Sequence, residues 1–188
     1  MKKKAFATLI LGLAFVLAAC GNSGGKASDA KFNKQDVSFA QGMIPHHRQA
    51  VEMAKLAETR ATGPQVKDIA AEIQGAQDPE IVKMEGWLKD WNKPVPDNGM
   101  SGMDHGSSGA NSMPGMMSDT DMNSLENASG KAFDTMFLSM MIKHHQGAIS
   151  MADIEVSKGA NAEAIALAKS IIGAQTDEIA KMKALPKQ

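Results

Sequence analysis

The sequence predicts an all-α protein, a bundle of four long helices built as two repeated antiparallel helix pairs. Three observations carry this. Sliding the 188-residue chain against itself by 98 positions aligns Phe39–Leu88 with Phe137–Pro186 without a gap, and seventeen of the fifty pairs are identical. Within each copy the inward positions recur at steps of three and four, the period of a helix that buries one stripe. No strand signal competes.

The first nineteen residues stand outside that fold. Lys2, Lys3 and Lys4 precede an apolar stretch from Ala5 to Ala19, a charged region followed by one too short to span a bilayer, which reads as a secretion signal. The stretch ends Leu17-Ala18-Ala19-Cys20-Gly21 and resembles a bacterial lipobox. The resemblance implies cleavage before Cys20 and lipidation of its thiol, with residues 20–32 as a tether to the membrane. The mature chain is then extracytoplasmic and carries 17 basic groups against 21 acidic. With no basic run outside the signal, it has no electrostatic footprint for nucleic acid. Cys20 is the one cysteine, so the exported domain has no disulfide and no free thiolate for a soft metal.

The first pair spans residues 33–92. Its first helix is expected from about Asn33 to Arg60, stopping at Thr62-Gly63. Pro64, suited to a first turn, opens the second, which runs to about Asn92 before Pro94. Pro45 inside the first helix removes one backbone hydrogen bond and is expected to bend it. Residues 93–129 form a linker rich in Met and Gly. From Pro94 to Met122 it holds five Gly, six Met and one branched aliphatic, Val95, so it is expected to be mobile, with a short helical turn near Ser118–Glu126. The second pair spans 130–186, with helices at about Gly130–Lys158 and Asn161–Ala184 broken at Gly159. Two helix pairs joined by one long connection give a ferritin-like four-helix bundle.

Polar residues occupy core positions of this pattern. The inward stripe of the first helix is Phe39, Met43, His46, Ala50, Met53 and Ala57, with His47 on its flank. That of the second includes Ile73, Gln77, Glu80, Met84, Trp87 and Trp91. The repeat adds Met141, His144, His145, Met151, Gln175 and Glu178, so the bundle centre holds a layer of His, Gln and Glu bordered by methionines. A buried polar group left unpaired costs about 1–3 kcal/mol, so these groups must satisfy one another or bind something. Four imidazoles need acceptors, and only two carboxylates and two amides are at hand. A metal ion resolves the shortage, with Gln77, Glu80, Gln175 and Glu178 orienting the rings.

Ligand softness selects the metal. Thioethers suit Cu(I) and imidazole accepts copper or zinc, so the repeated Met-x2-His-His-x5-Met points to copper, with zinc second. A di-iron site would want Glu-x-x-His on two helices, and no Glu of this chain has His at i+3. In the linker, Met100, Met103, His105, Met113, Met116 and Met117 form a separate group of accessory soft ligands, with oxidant scavenging or no role as the alternatives.

The clusters Met-Ile-Pro-His-His-Arg-Gln-Ala-Val-Glu-Met-Ala at 43–54 and Met-Ile-Lys-His-His-Gln-Gly-Ala-Ile-Ser-Met-Ala at 141–152 resemble the domain-of-unknown-function 305 family over about Asp36–Ala184. The resemblance implies a ferritin-like bundle and, through the CopM-like members, extracytoplasmic copper binding by Met43, His46, His47, Met53, Met141, His144, His145 and Met151. The expected function is a lipid-anchored module that binds Cu(I) for sequestration or for transfer to a partner protein, with no catalytic residue. The alternatives are a zinc- or iron-dependent enzyme and a structural domain with a buried polar layer.

Overall fold

The computed structural model describes residues 31–97 and 113–185. The expected secretion signal, Cys20, most of the expected tether, Met100, Met103 and His105 lie outside them. The described residues form five helices, α1 Lys34–Arg60, α2 Pro64–Asp90, α3 Asp119–Asn127, α4 Gly130–Lys158 and α5 Ala162–Ala184. None of the five is long and apolar enough to cross a membrane.

Local chemistry sets the boundaries. Asn33 opens α1 with a capping box: its side chain accepts from the backbone of Gln35 and Asp36, and the Asp36 carboxylate accepts from the Asn33 N–H in return. The chain turns extended at Ala61, and Pro64 begins α2, where its missing N–H is no loss. Ser118 and Asp121 form a second capping box that starts α3, within the linker. Asn161 caps α5 through Glu163 and Ala164. Pro45 lies inside α1 without ending it, and Pro79, which the sequence pattern had not singled out, does the same in α2.

The helices pack as two hairpins, α1 with α2 and α4 with α5, joined mainly through α1 against α4. Two equivalent clamps fix that crossing. The Asp36 carboxylate accepts from the backbone of Ala160 and Asn161 at 3.0 and 2.9 Å, in the α4–α5 turn. Asp134, its repeat counterpart, accepts from Thr62 and Gly63 at 3.1 and 2.8 Å, in the α1–α2 turn. The N-terminal end of each of α1 and α4 thus holds the far end of the other, so the two helices cross antiparallel with their midpoints together.

Two apolar clusters flank that midpoint. One gathers Phe39, Met43, Ile44, Met84, Trp87, Leu88 and Ile171. The other gathers Met53, Ile73, Leu125, Phe133, Phe137, Met141 and Met182. Fully burying each large side chain stabilises the fold by about 1.5–3 kcal/mol, which leaves room for a polar layer between the clusters.

Candidate metal centre

The helix crossing brings the two inner histidines into contact. His46 and His144 have ring centroids 3.8 Å apart, tilted by 40°, and both are buried. The flanking histidines face their own hairpin partner: His47 Nε2 lies 2.8 Å from Glu80 Oε2, and His145 Nε2 lies 2.7 Å from Glu178 Oε2. The carboxylates therefore orient the flanking rings and leave the inner pair without an acidic partner.

The glutamines do something other than expected. Gln77 is buried with neither amide atom hydrogen-bonded, and the Gln175 carbonyl is likewise without a partner, so these bonds to the rings are not made. The reason is geometric. The Glu side chains, three residues further along α2 and α5, take the ring nitrogens that point toward those helices.

Five of the eight ring nitrogens are buried without a hydrogen-bond partner: His46 Nδ1, His47 Nδ1, both nitrogens of His144 and His145 Nδ1. Burial drives the inner pair to its neutral form. It pushes the His46 pKa down to about 3, and the adjacent His47 adds to the shift. Burial and then His46 hold His144 well below the ordinary histidine range. Neutral imidazole is the form that ligates metal, so these unused nitrogens fit a metal ion.

Thioethers border the layer. Met43, Met53 and Met141 are fully buried in the flanking clusters, while Met151 is half-buried. A Cβ added at Gly42 would lie 3.0 Å from Met151 Cε and 3.9 Å from Met113 Sδ, so both methionines approach one point on α1. Among the described residues, no three His, Cys, Asp or Glu side chains are arranged to hold a metal. A metal bound here would draw on thioethers as well as imidazoles.

Part of the linker is fixed rather than mobile. His46 Nε2 lies 3.1 Å from the Pro114 carbonyl. The Gln49 amide donates to the Met117 carbonyl at 2.9 Å and accepts from the Met117 N–H at 2.8 Å. Met117, expected among the accessory ligands, is itself buried in the second cluster and packs there as part of the core. Met113 and Met116 are half-buried. Sequence reasoning missed Gln49 and Pro114. The available signal was the repeat, which sets Gln49 opposite Gly147 in a stretch otherwise rich in identities.

Fold and site together define an all-α protein of two repeated helix hairpins with a buried histidine pair bordered by methionines. The chain belongs to the DUF305 family, a domain of unknown function, whose model matches residues 36–186. It is similar to a DUF305 fragment from Deinococcus radiodurans, at 30% identity over 81% of this chain and 95% of that one, with a TM-score of 0.70. A DUF305 protein from Streptomyces coelicolor matches at 32% identity over 79% and 88%, with a TM-score of 0.68. CopM in its Cu(I)-bound form matches at 33% identity over 79% and 92%, with a TM-score of 0.63, and CopM has also been solved with Cu(II) and with silver. No curated protein matches the chain.

Proposed function

We propose that this protein binds Cu(I) through histidine and methionine on the outer side of the cell membrane, and sequesters it or passes it to a partner protein. The observation that carries the reading is the His46–His144 pair, three of whose four ring nitrogens are buried without a partner. Met43, Met53, Met141 and Met151 border the layer, with His47 and His145 held beside it by Glu80 and Glu178. Soft thioethers next to neutral imidazoles select Cu(I). Zinc fits less well, because its sites call for three or four His, Cys or carboxylate ligands, and among the described residues no three such side chains are arranged to hold a metal. The similarity to CopM, a chain solved with copper and silver, supports the same preference.

The four long helices make a ferritin-like bundle in this reading, and lipidated Cys20 anchors it at the envelope. Met100, Met103, His105, Met113 and Met116 form an accessory soft-ligand group. The test is an anaerobic Cu(I) titration against a competing chelator. Binding weaker than micromolar overturns the proposal, and a His46→Ala plus His144→Ala variant separates the bundle centre from the linker group.

One observation favours a second reading, a polar layer that fixes helix register: His47 and His145 each have a short bond to a carboxylate. That reading requires a melting temperature that added copper leaves unchanged.

A further inference from the structure

We propose that the strap Met113–Met117 gates the histidine centre, with Gln49 as its positioning residue. The proposal rests on the copper reading above and adds how the site is controlled. The strap sits in the groove between α1 and α4, and the sequence is cut to receive it. A Cβ at Gly147 would lie 1.9 Å from the Pro114 carbonyl oxygen and 2.7 Å from Gly115 Cα. Gly115 adopts a φ of +79°, and a Cβ there would lie 2.7 Å from the Lys143 carbonyl and 2.9 Å from that of His144. Both glycines are thus required for the strap to touch α4 backbone to backbone.

The other wall holds the strap. Gln49 grips the Met117 backbone with both ends of its amide. Gln49 and Gly147 are the same position of the repeat, so one copy carries the long side chain that binds the strap and the other lacks the side chain that would exclude it. That division has no use in a symmetric bundle. It is what a single strap on one face of the crossing demands.

The strap also touches the centre itself. The Pro114 carbonyl is the hydrogen-bond partner of His46 Nε2, so with the strap seated this nitrogen is engaged and the ring pair is sealed from solvent. A soft cation takes that nitrogen only once Pro114 has lifted. The strap is held by a few hydrogen bonds and the buried side chain of Met117, which puts it among the parts of a protein that open locally without global unfolding.

The experiment compares the mature chain with Gly147→Ala, which blocks the seat of Pro114 while favouring the helix, and with Gln49→Ala, which removes the grip. The rate of Cu(I) transfer from a chromophoric chelator is followed anaerobically, with hydrogen exchange of the Met117 amide measured without metal. The expected result is faster exchange at Met117 and transfer accelerated about 10- to 30-fold in both variants, as loss of one or two hydrogen bonds predicts. Transfer at the wild-type rate with Met117 exchange accelerated overturns the gate and leaves the copper reading standing. Unchanged exchange in both variants also overturns it, because Gln49 and Gly147 then do not hold the strap. Uptake by the variants but not by the wild type supports the gate. Absence of Cu(I) uptake in all three proteins overturns the copper reading and the gate with it.

Discussion

His46 and His144, which occupy the same position of the two repeats, meet face to tilted face with ring centroids 3.8 Å apart where α1 crosses α4. A repeat that places one polar residue at the mid-length of each long helix brings the two copies together whenever those helices cross antiparallel at their centres. The Asp36 and Asp134 clamps impose that crossing. The pair is therefore a product of the fold's internal symmetry, and its unpartnered nitrogens are a cost that the apolar clusters on either side must offset.

Replacing His144 by Leu tests whether that cost is retained for binding. Both ring nitrogens of His144 are buried without a partner, and exchanging an unsatisfied polar side chain for an apolar one of similar size is neutral or favourable. The metal-free His144→Leu variant should be more stable than wild type by about 1–3 kcal/mol in urea unfolding, while Cu(I) affinity falls at least about tenfold. Destabilisation of the metal-free variant would instead mark His144 as a structural member of the layer.

The clamps give a second expectation. Each Asp accepts hydrogen bonds from two backbone N–H groups of the opposite hairpin turn, and Asp36 also accepts from Asn33. Hydrogen bonds to a charged acceptor are worth about 1.5–3 kcal/mol each. Asp134→Ala should destabilise by roughly 2–4 kcal/mol, and Asp36→Ala, which also loses a capping box, by at least as much. Chemical denaturation of the two variants beside wild type measures both values.

Much of this architecture is legible in the sequence because it is written in side-chain spacing. Asn33, Pro64, Gly159 and Asn161 mark helix ends, and the doubled His-His falls on the inward stripe of both copies. What was not legible is written in backbone groups. Pro114 engages His46 through a carbonyl and Met117 engages Gln49 through its peptide, so the strap leaves no pattern in residue types. The choice of Glu over Gln as the partner of His47 and His145 depends on which turn of α2 and α5 faces the rings, which only the helix crossing decides. Glu155 shows the same limit. Its repeat counterpart is Ala57, and nothing in the local sequence says that this carboxyl is buried.

Acid should loosen the protein through the inner histidines. The His46 pKa is about 3 in the fold against 6.5 for the free side chain, because burial penalises the charged ring. The unfolded chain binds the extra proton first, so stability falls as pH drops below 6.5 and continues to fall toward pH 3. A shift of this size corresponds to about 5 kcal/mol across the window, with His144 acting in the same direction. Urea midpoints between pH 7 and pH 4 should decline in wild type and much less in a His46→Leu plus His144→Leu variant.

Alkali should act in the opposite sense through Glu155. Its side chain is buried beside Asp36 and against Gly159, where a Cβ would lie within 2.3 Å of Glu155 Oε1. Burial first, and then the neighbouring Asp36 carboxylate, raise its pKa from 4.5 to about 8. The folded state therefore holds a proton that the unfolded chain has lost. Its contribution is fully present below pH 4.5 and declines as pH rises toward 8. Asp36 stays ionised, held below the usual carboxylate range by backbone donors from Asn33, Asn161 and Ala160 together with the Glu155 side chain, in spite of its burial. A protonated Glu155 can donate to it, and a Gln in the same place donates at every pH. Glu155→Gln should match wild type near pH 4.5 and melt a few degrees higher at pH 8. Parallel melting curves for the two proteins across this range would show that the carboxyl does not keep its proton in the fold.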